Sequence, residues 1–128
     1  MLFRSKIIKT DQAPAAIGPY SQANAAGGFL FTAGQIPLDP VTMEIVGATA
    51  AQQAQQALLN AKAVVEAGGM TLGNVVKATI FIRDMAEFAN INEVYQTFFP
   101  ENPPARSVVE VSRLPKDVLV EIEMVAYA

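Results

Sequence analysis

The chain has 128 residues, a formal net charge of −3, and 52% hydrophobic against 16% charged residues. It contains no cysteine and no histidine, which excludes disulfides, Cys-based zinc sites and thiol nucleophiles and removes the commonest catalytic base. Its nine Lys and Arg are spread along an acidic chain and form no basic patch, which argues against nucleic acid; no run nears the roughly 18 apolar residues of a membrane span; and the start, Met1 to Lys6, carries no apolar signal core.

These features predict one cytoplasmic domain over residues 1–128, with no membrane partner. The apolar excess predicts that other copies of the chain close part of the surface.

In chain order, Lys6-Ile7-Ile8-Lys9 reads as a short strand. Gly18 and two prolines punctuate Ala13 to Tyr20 into irregular chain. Gly27-Gly28 fits a hairpin turn leading into the strand Phe29–Ala33, which stops at Gly34. Asp39 to Met43 is a turn, followed by a short extended piece at Glu44-Ile45-Val46. Thr49 to Ala67 reads as a helix: Thr49 and Gln52 form a capping box, and Ala54, Ala57, Leu58, Ala61, Val64 and Val65 share one face. Gly68-Gly69 stops it. Val75 to Ile82 is a strand with Val76, Ala78, Ile80 and Ile82 on one side. Asp84 and Glu87 form a second capping box, opening a helix to about Phe99 with the apolar stripe Met85, Phe88, Ile91, Tyr95 and Phe98. Pro104 to Glu123 reads as a closing hairpin in which Val111 pairs with Val118. The sum is an α+β fold: a mixed sheet with two helices on one face and the other face uncovered within one chain.

Charge is costly inside apolar strands unless paired or used. In the predicted hairpin Arg106 lies opposite Glu123, so Arg106, Glu121 and Glu123 share a face. Two roles are open for this set: a guanidinium that clamps a carboxylate beside a Glu that handles water, or a solvated cross-strand salt bridge. Tyr20, after the Gly18-Pro19 turn, either faces a cleft or is a half-buried aromatic. Gly34 permits close backbone approach, and its neighbourhood could offer N–H groups to an anion. Asn92 sits on or beside the apolar stripe, where it either ties down backbone or lines a site. There is no phosphate loop, no Ser/His/Asp set and no metal-ligand cluster, so no cofactor and no metal is expected.

Three segments resemble motifs of the reactive intermediate deaminases, the RidA/YjgF family. They are Ala15-Ala16-Ile17-Gly18-Pro19-Tyr20-Ser21-Gln22, Ala33-Gly34-Gln35-Ile36-Pro37, and Pro104-Ala105-Arg106-Ser107 through Arg113-Leu114-Pro115-Lys116-Asp117-Val118 to Glu121-Ile122-Glu123. The resemblance covers nearly the whole chain, with the segments in the right order. It implies a chorismate-mutase-like fold and a homotrimer with sheets facing inward and clefts between subunits. It also implies cofactor-independent hydrolysis of reactive enamines and imines, such as 2-aminoacrylate and 2-iminobutanoate, to 2-oxo acids and ammonia. Residue by residue, it implies that Arg106 binds the substrate carboxylate and Glu121 positions water. Tyr20, Ala33, Gly34, Asn92, Ser107 and Val108 are implied to line the substrate. Val108 stands where many members have a cysteine, and Ala33 where many have a serine. Some relatives carry ribonuclease or translation-inhibitor labels, so a ligand-binding or chaperone-like trimer and a ribonuclease are the alternative readings.

Overall fold

A computed structural model describes residues 6–128. Its strands are β1 (Lys6–Ile8), β2 (Ala23–Ala26), β3 (Phe29–Thr32), β4 (Val75–Ile82), β5 (Ala105–Glu110) and β6 (Val120–Tyr127); its helices are α1 (Ala50–Ala67) and α2 (Phe88–Phe98). The strands form one sheet in the order β1-β2-β3-β6-β4-β5. This is the expected α+β architecture, with both helices on one sheet face.

Local chemistry explains most boundaries. Gly27 and Gly28 both have positive φ, 59° and 85°, and form the two-residue turn that pairs Ala26 with Phe29. That left-handed backbone favours glycine. β2 itself is Ala-Asn-Ala-Ala, with no β-branched residue to announce it. Thr49 Oγ1 accepts from the Gln52 N–H, and Gln52 Oε1 accepts from the Thr49 N–H, so the first capping box is complete. Asp84 does less than the sequence suggests. It accepts from Ala86 N–H at the head of a short 3-10 turn, while Glu87 accepts from Asn90 instead of closing a box. Along α1, Ala54, Ala57 and Ala61 are fully buried. Their small side chains bring the helix axis close to the sheet. Glu44–Val46 makes only an isolated bridge between Leu38 and Ile45, not a strand.

The closing hairpin does not form. β4 lies between β5 and β6, parallel to the first and antiparallel to the second. The nine residues 111–119 are long enough to step across the roughly 10 Å width of one intervening strand. Their crossing is shaped by a 3-10 turn at Pro115–Asp117, where Lys116 and Asp117 both have φ of 56°. A second register correction falls in β4: the pairing slips between Val75 and Lys77, and the intervening Val76 is exposed rather than aligned with Ala78. Such a one-residue bulge reverses side-chain parity and is invisible in a hydrophobicity pattern.

Beyond the bulge the faces are clean. Ala78, Ile80 and Ile82 with Val120, Ile122, Met124 and Ala126 point toward the helices and build the core. Thr79, Phe81, Glu121, Glu123, Val125, Phe29, Phe31 and Tyr127 lie on the open face, where the Phe29 and Tyr127 rings meet at 4.8 Å.

A smaller cluster of Ile36, Leu38, Leu114 and Val118 packs beyond the sheet. Asn60 of α1 ties it down. The side chain is 1% exposed and donates to the carbonyls of Ile36 and Leu38 at 3.0 and 2.9 Å. Asn60→Ala removes both buried hydrogen bonds, leaving the Ile36 carbonyl the Leu38 N–H and the Leu38 carbonyl only a long contact from Gln56, and is expected to lower stability by roughly 1–3 kcal/mol in urea unfolding.

Candidate active site

The sheet order separates the two charges that the sequence brings together. Arg106 pairs with Ala78 and so points to the helix side; Glu121 pairs with Phe81 and points to the open side. Arg106 therefore shares no face with Glu121 or Glu123, although the two glutamates do share one.

On the helix side, α2 receives the guanidinium. Arg106 Nη1 donates to Asn92 Oδ1 at 2.8 Å. Its Cζ lies 4.9 Å from the Tyr95 ring centre and 5.5 Å from that of Phe88. Residues 88, 92 and 95 follow i, i+4, i+7 spacing, which brings them to one helix face. Among the described residues no carboxylate joins this group. Among the described residues the one ion pair links Arg113 to Asp117, both exposed. It holds Asp117 below the usual carboxylate range and Arg113 above its ordinary value. Val108 follows Arg106 on the same face, beside Ile80, and packs on the core. Ser107 points the other way and accepts from Lys77 Nζ at 2.9 Å.

On the open side, Glu121 forms one wall of a cleft of about 230 Å³ with Ile17, Tyr20, Ala33, Gly34, Ile36 and Pro115. Gln22 positions this wall. Its amide donates to the carbonyls of Thr10, Ala13 and Pro14, and its backbone carbonyl accepts from Ala33 N–H. That staple fixes the loop carrying Tyr20 against the end of β3. The Tyr20 hydroxyl accepts from Ile17 N–H at 3.2 Å, with its ring half exposed. Gly34 is needed here for space rather than conformation: a Cβ on it would sit 2.6 Å from Glu121 Oε1. Burial pushes the Glu121 carboxyl up, and the charge of Glu123 on the same face adds to the rise. The Gly34 N–H donates to no backbone acceptor among the described residues. A larger groove of about 500 Å³ beside β1 touches this cleft only through Tyr20 and reaches neither Arg106 nor Glu121. Among the described residues no group of His, Cys, Asp or Glu could hold a metal ion.

The candidate residues thus fall into two constellations: Arg106, Asn92 and Val108 on one face, and Tyr20, Ala33, Gly34 and Glu121 on the other. Ser107 joins neither side chain set. In the sequence Phe88 and Tyr95 are members of an apolar stripe, but their spacing around Asn92 is the signal that they flank a polar contact.

A fold of two helices on one face of a mixed sheet is shared by proteins of known structure. The family model for endoribonuclease L-PSP matches residues 10–128, and the chain belongs to this family, which includes the RidA/YjgF and RutC proteins. It is 57% identical over 122 residues to a RutC family protein of Pyrococcus horikoshii, covering 95% of this chain and 97% of that one. It is 53% identical over 125 residues to the 2-iminobutanoate/2-iminopropanoate deaminase of Escherichia coli strain K12, covering 95% and 97%. Among solved structures, E. coli TdcF with bound serine superposes with a TM-score of 0.92 at 50% identity, covering 96% of this chain and 98% of that one. The E. coli YjgF gene product superposes with a TM-score of 0.92 at 51% identity, covering 96% and 98%.

The Gly34 backbone does not have positive φ, so alanine is conformationally allowed there, and the carboxylate it meets is the free end of a side chain. Gly34→Ala is expected to cost about 1 kcal/mol or less in thermal unfolding, while a crystal structure of the variant shows the Glu121 carboxylate displaced from the cleft.

Proposed function

We propose that this protein hydrolyses small 2-imino acids and their enamine tautomers to 2-oxo acids and ammonia, using Arg106 of one copy and Glu121 of another. The observation that carries the reading is the pair of unmatched charges. A guanidinium lies cradled on the helix face without a carboxylate. A half-buried carboxylate with a raised pKa lies on the opposite face, without a cation among the described residues. The half-buried carboxylate is a cost to an isolated chain, and the guanidinium keeps an edge unused. Each is useful if a ligand and a second copy complete it. The relative named as an imine deaminase, at 53% identity, and the serine held by TdcF support a small carboxylate-bearing ligand.

One sheet cannot present both faces to one small molecule, so the cleft is composite. The homotrimer implied by the family resemblance meets this requirement, and the exposed Phe29, Phe31 and Tyr127 on the open face supply apolar surface for it to cover.

The chemistry follows from these groups. The substrate carboxylate docks on the unoccupied edge of Arg106, helped by the Gly34 N–H. The enamine gains a proton at its terminal carbon and loses one from nitrogen, giving the imine. Glu121 holds a water against the imine carbon and takes its proton as the C–O bond forms; the C=N electron pair moves to nitrogen, which is protonated. The carbinolamine then expels ammonia as its hydroxyl loses a proton to become the ketone. The imine is already electrophilic, so orientation and proton placement supply the acceleration. Val108 offers no nucleophile, consistent with water as the attacking group.

In a coupled assay where a threonine dehydratase generates the imine, Arg106→Ala and Glu121→Gln are each expected to lose about 10- to 150-fold in acceleration, the worth of one charge-assisted contact. Arg106→Lys falls well short of wild type because the two-pronged geometry is lost. Full activity in Arg106→Ala would remove the clamp from the mechanism; full activity in Glu121→Gln would remove the water-positioning role.

The composite cleft has its own check. After co-refolding equal amounts of Arg106→Ala and Glu121→Gln chains, random assembly gives about a quarter of the clefts both intact groups, so about a quarter of wild-type activity returns. Activity that stays at the level of the single variants would place both groups in one chain's site.

A further inference from the structure

Arg106 belongs to an exposed edge strand, where a long side chain would ordinarily sample many rotamers at a cost to any ligand that must freeze it. Here three contacts from one face of α2 act on it. Asn92 engages Nη1, and the rings of Phe88 and Tyr95 lie within 5.5 Å of the guanidinium carbon. Engagement of Nη1 leaves the Nε/Nη2 edge without a protein acceptor among the described residues, and that edge matches a carboxylate in two-pronged fashion. The rings differ in their setting. Phe88 is 37% exposed at the start of α2, where packing alone gives a large aromatic little reason to sit. Tyr95 is 5% exposed and its hydroxyl is buried without a hydrogen-bond partner. Its place is therefore set by its ring, which packs in the core 4.8 Å from Phe99 and faces the Arg106 guanidinium, and not by its polar group. An unmatched buried hydroxyl is a cost that phenylalanine would avoid; the aromatic face toward the cation is what the position retains.

We propose that Phe88 and Tyr95 are positioning residues for substrate binding: an aromatic cradle that fixes the Arg106 guanidinium so that its free edge is presented to the carboxylate of a 2-imino or 2-oxo acid. This rests on the reading of Arg106 as the carboxylate clamp. The cradle touches the cation and not the substrate, so its loss acts on affinity through Arg106.

Calorimetric titration of the full-length protein with 2-oxobutanoate tests it. Phe88→Leu and Tyr95→Leu are expected to raise Kd roughly 3- to 30-fold, the range of a cation–aromatic contact from exposed to desolvated. Phe88→Tyr and Tyr95→Phe, which keep a ring beside the cation, recover most of that affinity. A merely structural role would instead lower the fraction of binding-competent protein and leave Kd in place. Unchanged Kd in Phe88→Leu overturns the cradle, and that variant answers alone if Tyr95→Leu fails to fold, because Phe88 lies outside the buried core. Arg106→Ala separates the two readings. If it loses 2-oxobutanoate binding while Phe88→Leu does not, the clamp stands and the cradle falls; if it binds as wild type does, the clamp itself falls and the cradle with it.

Discussion

The position of β4 between β5 and β6 governs everything else in this protein. Adjacent strands keep paired side chains on the same face, so the register of β4 with each neighbour decides which way Arg106 and Glu121 point. Ala78 and Phe81 are three residues apart in β4, an odd separation, and each aligns one of the two charges. Opposite faces follow at once. Had the last two strands paired directly, the same residues would have formed a surface salt bridge of little worth. Inserting one strand leaves the two charges on opposite faces, neither with an ion-pair partner among the described residues, which is why the proposed chemistry calls for a second copy.

Each half-site is held by a different device. The guanidinium depends on the regular spacing of α2, where a helix face offers an amide between two rings. The carboxylate depends on irregular chain: the Gln22 staple, the missing side chain at Gly34, and the 3-10 turn that carries Pro115. The two sets project from opposite faces of the sheet, with the fully buried row Ala78, Ile80, Ile122 and Met124 on the helix side.

Much of this was legible beforehand. The capped α1, the glycine turn before Phe29 and the strand at Val75–Ile82 declare themselves through local chemistry, and that chemistry survives folding. The failures share a cause. The closing hairpin, the parity of Val76 and the face shared by Arg106 and Glu121 all depend on which strands become neighbours and where one residue is added to a register. Neither is encoded in the periodicity of a single segment. β2 is silent in the sequence because alanine and asparagine carry no strand signature, and the roles of Asn60 and Gln22 are silent because their partners are backbone carbonyls of other segments. The motif residues were found without their geometry; the cradle around Arg106 was visible as spacing but not as purpose.

Val108 shares the face of Arg106 and packs into hydrocarbon, and the chain has no thiol or imidazole anywhere. Under the proposed chemistry the protein handles electrophiles that capture soft nucleophiles. A cleft assembled from guanidinium, amide, phenol, carboxylate and aliphatic carbon offers such molecules no soft nucleophile to capture. Durability is then built into the composition: the catalyst can meet its own reactive substrate turn after turn without being consumed by it, and oxidants that would retire a cysteine-bearing relative find no sulfhydryl here to attack.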